Sequence, residues 1–241
     1  MAKKGESPFI AYEAYKKLAN PYAELVNTKP HNAYLEKPAF LSLLPDVKSL
    51  STLDAGCGTG IYSEWLVLHG AKVISLDASP YMLQHARNRL KDKAFIKLHD
   101  LRDPLTFIED NSIDIVLSSL VMHYIKDWEP VLGEFKRILR PGGLFVFSIG
   151  HPFADFSPKY GAKNYFAIEK IEMWWTGFGE KVLMPSFRHP LGYVFEVLRD
   201  KDFTIDRIVE TQPIKEYEKA DPEGFEGIKK RPTFLCVRAV S

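Results

Sequence analysis

The stretch from Leu50 to Gly60 constrains this chain more than any other part of it. An apolar run over residues 50–55 passes through Gly56, Gly58 and Gly60 straight into residues 61–69, which read as a helix. A strand that enters a helix through a short glycine turn opens a βαβ unit, and such units build parallel sheets covered by helices on both faces. The alternation continues. Residues 72–77, 94–98, 113–119 and 143–149 are short runs rich in Val, Ile, Leu and Phe and read as strands, while residues 79–91 and 128–139 read as helices. Ser79 is placed to cap the first of these helices, with Pro80 at its first position. The second ends in Arg140-Pro141-Gly142-Gly143, a basic last turn followed by helix breakers.

After residue 150 the pattern breaks. Residues 151–187 hold nine aromatic side chains with several Gly and Pro. The period then recovers, with a helix expected over 190–200, strands over 203–210 and 233–239, and a charged loop or hairpin over 211–231. One domain is expected over all 241 residues: a helical cap (1–45), a core (46–150), an insert (151–187) and a C-terminal helix with a strand pair (188–241). Lys and Arg (32) nearly balance Asp and Glu (31), so the electrostatic footprint of a nucleic-acid binder is missing. No run approaches the roughly 18 apolar residues of a membrane span. Two cysteines, Cys57 and Cys236, make neither a disulfide framework nor a metal cluster. The opening residues show no apolar run after their lysines, and cytoplasmic residence without a metal is the expectation.

The glycine spacing discriminates between ligands. A dinucleotide turn reads G-x-G-x-x-G, but here Gly56, Gly58 and Gly60 are evenly spaced and position 61 is Ile. A phosphate-loop enzyme needs Gly-Lys-Ser/Thr, which is absent. Asp54, two residues before Gly56, fits neither pattern. The segment Asp54-Ala55-Gly56-Cys57-Gly58-Thr59-Gly60 is instead similar to the D/E-x-G-x-G-x-G loop of S-adenosylmethionine enzymes. Asp77, at the end of the second strand, is placed to accept hydrogen bonds from both ribose hydroxyls, with Ala78 beside it. Met82 offers a polarizable surface to an adenine ring or, equally, packs in the core.

With Asp77 included, the chain resembles the class I methyltransferases of the methyltransferase-11 type, the group around quinone-biosynthesis C-methyltransferases. Three further segments carry the resemblance: His99-Asp100-Leu101, the run Ser118-Ser119-Leu120-Val121-Met122-His123-Tyr124, and Leu139-Arg140-Pro141-Gly142-Gly143. It implies a Rossmann-like, doubly wound and mostly parallel α/β sheet of seven strands with an antiparallel C-terminal strand. It also implies S-adenosylmethionine as cofactor, an acid at Asp100 for the adenine amino group, Leu101 next to it, and Ser118 beside the methionine part. Asn/Asp-Pro-Pro-aromatic, the mark of nucleic-acid amino methyltransferases, is absent after the fourth strand. A small-molecule acceptor is therefore expected over DNA or RNA. A non-catalytic binder of the cofactor is the competing reading, and glycine spacing opposes an NAD oxidoreductase.

Methyl transfer relies on positioning, with a base where the acceptor carries a proton. His123, just after the fourth strand, and His151, after the fifth, are candidates for that base, with His189 a third. Alternatively His189 and Arg188 hold an acceptor's carboxylate or phosphate. Trp174 and Trp175 make the insert either a substrate cover or a small subsidiary core. Tyr12 and Tyr15 are placed to close the cofactor pocket from the first helix.

Overall fold

The computed structural model of the protein describes residues 9–241, so the opening lysines and the start of the expected cap lie outside the described residues. The described strands are β1 (Ser51–Ala55), β2 (Lys72–Asp77), β3 (Phe95–Leu98), β4 (Ile113–Ser119), β5 (Leu139–Gly150), β6 (Glu169–Trp175), β7 (Val182–Arg188), β8 (Thr204–Glu210) and β9 (Phe234–Val240). Seven form one sheet in the order β3-β2-β1-β4-β5-β9-β8. The first five are parallel to one another, and β9 runs antiparallel to both β5 and β8. This is the sheet that the family resemblance implied.

Period two along the strands decides which helices cover which face. Val116, Phe145 and Phe147 point to one side. There they meet Val131, Leu132, Phe135 and Ile138 of α5 (Glu129–Ile138) and Val194 and Leu198 of α6 (Leu191–Asp200). Their neighbours Ile115, Leu117 and Val146 point the other way, onto Phe40 of α2 (Lys37–Leu41) and Leu66 of α3 (Ile61–Leu68). Next to α3 lies α4 (Pro80–Leu90), whose first turn is capped as expected: Met82 N donates to Ser79 Oγ at 3.3 Å. On the outside of α4 lies α1 (Tyr12–Leu25).

Three local expectations are corrected. Arg140-Pro141-Gly142-Gly143 is no free turn: β5 begins at Leu139, opposite Ile113, and pairing resumes at Leu144 opposite Ile115, so the tetrapeptide bulges from the strand. Residues 211–231 carry two short helices, α7 (Lys215–Ala220) and α8 (Pro222–Ile228). Their corner is fixed by Asp221, whose Oδ1 accepts from Gly224 N at 2.9 Å, and by fully buried Tyr217. Within the insert, β6 and β7 pair antiparallel as a separate hairpin, Trp175 opposite Val182 and Glu169 opposite Arg188.

The strand order positions the site. From β1 the chain winds outward through β2 and β3, then returns to place β4 on the other side of β1. Connections therefore leave the ends of β1 and β4 in opposite directions, and the crevice between them is where open α/β sheets take ligands.

Candidate active site

The turn after β1 is pinned by backbone bonds. Gly56 N and Cys57 N both donate to Leu76 O at 2.8 Å, drawing the turn against the end of β2. Gly56 takes φ +87°, and a Cβ there would collide with Val121. Only glycine meets both demands at once. Gly58 N then donates to Asp77 Oδ2 at 2.8 Å, while Ser79 N donates to Oδ1 at 2.8 Å. Each carboxylate oxygen has used one lone pair and keeps one. Burial pushes the Asp77 carboxyl up to about 6, against the pull of these two donors.

A cleft of about 670 Å³ opens between the ends of β1, β2 and β4. Gly56, Gly58, Asp77, Ala78 and Met82 form one wall, and Asp100 and Leu101 form the end beyond β3. Asp100 is already engaged. Arg102 Nε donates to its Oδ1 at 3.0 Å and Arg102 Nη2 to its Oδ2 at 2.7 Å. Burial would raise this carboxyl, but the hydrogen bonds and charge of Arg102 hold it below the ordinary range. Ser119, Leu120, Val121 and Tyr124 form the opposite wall. Over it leans Tyr15 of α1, its hydroxyl 2.8 Å from that of Tyr124.

The methyltransferase-domain family matches residues 53–147, which carry this cleft. A malonyl-[acyl-carrier protein] O-methyltransferase of Buchnera aphidicola subsp. Baizongia pistaciae is 33% identical over 171 residues, covering 66% of this chain and 68% of that one. The chain belongs to the class I S-adenosylmethionine-dependent methyltransferases. A demethylmenaquinone methyltransferase of Tropheryma whipplei is 36% identical over 120 residues, about half of each chain. The crystal structure of an S-adenosylmethionine-dependent methyltransferase from Mesorhizobium loti superposes with a TM-score of 0.70 at 28% identity, covering 86% of this chain and 97% of that one. The match to the first-ranked curated relatives spans about half of their length (56% and 51%).

Not every residue singled out in the sequence reaches the cleft of this methyltransferase. Asp54 is buried under the loop. Its Oδ2 accepts from Ser63 Oγ at 2.6 Å, and burial lifts the carboxyl to about 7. Ala55 is fully buried at the end of β1. Cys57 packs against Leu83, Ala86 and Leu90 of α4, and Gly60 caps α3 against the same helix. These four residues shape the turn from behind. Ser118 is buried, with no hydrogen-bond partner for its Oγ among the described residues, whereas its neighbour Ser119 lines the cleft. One step along a strand exchanges the faces.

The histidines are each accounted for. His151 donates from Nε2 to Glu210 at 2.9 Å, and its Nδ1 accepts from Phe153 N at 3.3 Å, so neither nitrogen is free. His189 Nε2 donates to Lys126 O at 3.0 Å, and burial pushes the ring down to about 4. Burial, with His189 nearby, pushes His123 down to about 3, and its Nδ1 has no partner among the described residues. None of the three lines the cleft. Arg188 is fully buried between the rings of Phe156 and Tyr165. Its guanidinium holds the carbonyls of Asn164, Tyr165 and Ala167 and the Glu169 carboxylate, so it is spent on the insert and not on a ligand. Trp174 is 61% exposed, with the Lys181 ammonium 4.8 Å above its ring. Trp175 packs inward with Phe178 against α1, which makes the hairpin a small core. Tyr12 packs edge-on against Tyr81 and leaves the closure of the cleft to Tyr15.

Glu36 was missed by sequence reasoning. It ends a single π-helical turn, Asn32–Glu36, and is 2% exposed. Ser148 Oγ (2.6 Å) and Ser119 Oγ (2.9 Å) donate to its Oε1 and Tyr62 Oη to its Oε2. The only local signal was an acid inside an otherwise apolar and aromatic stretch, Tyr34-Leu35-Glu36-Lys37-Pro38-Ala39-Phe40.

Proposed function

We propose that this methyltransferase passes the methyl group of S-adenosylmethionine to a small-molecule acceptor. The observation that carries the reading is Asp77: a carboxylate presented at the lip of the cleft by two backbone N–H groups, with one lone pair free on each oxygen. Two adjacent ribose hydroxyls match that arrangement. Gly56 and Gly58 leave room for the ligand's carboxylate and sulfur ends beside the N-terminus of α3, whose dipole favours negative charge. Met82 and Leu101 offer apolar surface to the adenine, and Asp100 keeps an acceptor lone pair for its amino group. When bound, the sulfonium supplies a methyl carbon already activated for displacement, so the protein's part is to bind, align and exclude water. Tyr15 and Tyr124, hydroxyl to hydroxyl, close the cleft over that point.

A small acceptor is supported by the near balance of charge, and a reducing compartment by two free, buried thiols. Relatives named for malonyl-[acyl-carrier protein] and for demethylmenaquinone bracket the acceptors worth testing first. Calorimetry with S-adenosylhomocysteine is expected to show binding that Gly58→Val abolishes, with circular dichroism checking that the fold survives. The φ of +55° disfavours any side chain there, and the new one would stand in the cleft, its Cβ 3.6 Å from the end of Met82. Unchanged affinity in that variant would remove the basis of the reading. Release of S-adenosylhomocysteine in the presence of a metabolite pool separates an enzyme from a passive binder.

A further inference from the structure

With His151 and His189 engaged and His123 pushed down to about 3 by burial, one acid at the end of the sheet remains uncommitted. Asp155 N donates to His151 O at 3.0 Å, which folds the chain back after β5. The carboxylate thereby sits over the Cα of Gly150, in the space that a Cβ would fill. Ser148 pairs with Ser119, the last residue of β4 and part of the cleft wall, and Gly150 follows two residues further along β5. Among the described residues nothing donates a hydrogen bond to Asp155, although it is mostly buried. A carboxylate that no donor holds keeps its lone pairs for a ligand's proton.

We propose that Asp155 is the general base of the transfer, and that the acceptor carries a removable proton on the atom to be methylated, as in an amine, a hydroxyl or an acidic carbon. The inference rests on the methyltransferase reading above. Faces alternate along a strand, so Ser148 and Gly150 point the same way, about 7 Å apart. The side chains seated on them, Glu36 and Asp155, therefore stand over one face of the sheet end. A second cavity of about 290 Å³ lies on that face, lined by Glu36, Tyr62, Ser119 and Leu120, and it shares Ser119 and Leu120 with the main cleft. Leu120 divides the two. It is held at φ +54°, a costly conformation for leucine, by bonds from its N–H to Ser148 O and Ser148 Oγ, both 3.0 Å.

The two acids differ in what they can do. Glu36 accepts from three hydroxyls and orders the wall. Asp155 is unsaturated, and burial lifts it to about 7 even with the Arg188 charge nearby, close to the ideal for a base at neutral pH. In the reaction the acceptor's lone pair bonds to the methyl carbon as the carbon–sulfur bond breaks and its electrons pass to sulfur. The acceptor's proton goes to Asp155 and from there to solvent. A free carboxylate acceptor has no proton to give, and it would face both acids.

Two probes of like shape and opposite charge, benzylamine and benzoate, test this on the full chain loaded with S-adenosylhomocysteine. Calorimetry should show benzylammonium bound and benzoate at least tenfold weaker. Asp155→Asn should erase the preference and raise the melting temperature, with S-adenosylhomocysteine affinity within twofold of wild type. With labelled donor and a panel of amines, phenols and carboxylic acids, label should enter base-stable products, and Asp155→Asn should slow this at least 100-fold. The assignment is overturned by benzoate binding as well as the amine, by neither probe binding, by a base-labile methyl ester as the product, or by an unchanged rate in Asp155→Asn. A wild-type chain that fails to bind S-adenosylhomocysteine sinks the methyltransferase reading instead.

Discussion

The turn that holds Asp77 is tied by bonds spanning 2 and 19 residues, whereas the far side of the cleft is tied by bonds spanning 109 residues (Tyr15 to Tyr124) and 112 residues (Ser148 to Glu36). The insert beyond it is organised by Arg188, which gathers carbonyls 21 to 24 residues upstream. On the Asp77 side backbone groups do the holding. On the far side the holding is done by side chains, the Tyr15–Tyr124 pair and Glu36 with Ser119 and Ser148. A substitution on the first side should show in cofactor affinity, and one on the second in stability.

Arg188→Ala is the strongest test of that division. It leaves Glu169 and three carbonyls without their partner, and breaking a buried, bonded charge typically costs about 3–5 kcal/mol. Thermal unfolding should show a drop of this order, with proteolysis beginning in residues 156–169, while S-adenosylhomocysteine affinity is preserved. A loss of affinity as large as the loss of stability would erase the distinction between the two sides.

Gly56→Val should do the reverse. The new side chain meets Val121 at a φ favourable only to glycine, so the loop must move. We expect affinity for S-adenosylhomocysteine to fall about 100-fold, near 2.8 kcal/mol. Wild-type affinity would show that the loop adapts and that backbone holding is not what shapes the Asp77 side.

Asp77→Asn sharpens the comparison by pH. Burial raises the Asp77 carboxyl from 3.8 to about 6, so the folded state holds an extra proton between about pH 4 and 6. Its contribution to stability therefore falls as pH rises through that window and stays low above it. The asparagine variant should melt with wild type near pH 3.5, higher than wild type at pH 8, and bind the cofactor about tenfold more weakly, near 1.4 kcal/mol. Equal melting at pH 8 would mean that the two backbone donors fully offset the burial.

The smallest effect belongs to Trp174, one of two adjacent tryptophans that the hairpin sends opposite ways. Trp175→Ala should cost about 2 kcal/mol through lost packing on α1. Trp174→Ala should stay within about 0.5 kcal/mol, as for other exposed positions. Melting curves of the pair decide it, and equal losses would contradict the facing of the hairpin.

Much of the Asp77 side was legible in the residues because its rules are local. Runs of Val, Ile and Leu at period two, a capping Ser79 before Pro80 and evenly spaced glycines specify strand, helix and turn within a few positions of one another. The hairpin had its own local signal, since Ile171, Met173 and Trp175 alternate with polar or exposed positions, and so do Val182, Met184, Ser186 and Arg188. The density of aromatics hid that period. What no local pattern could hold was the choice among neighbours. Ser118 and Ser119 are equivalent until the register of β4 sends one into the core and the other into the cleft. Arg188 reads as an anion ligand until the carbonyls of residues 164–167 close on it. Glu36 and Asp155 acquire meaning only when β5 sets Ser148 and Gly150 beneath them. The sequence by itself determined a parallel α/β sheet, the glycine turn and the place of Asp77 at the end of β2. Tertiary structure alone decided which polar side chains stay free to act, because a group is free only when no distant partner has been folded onto it.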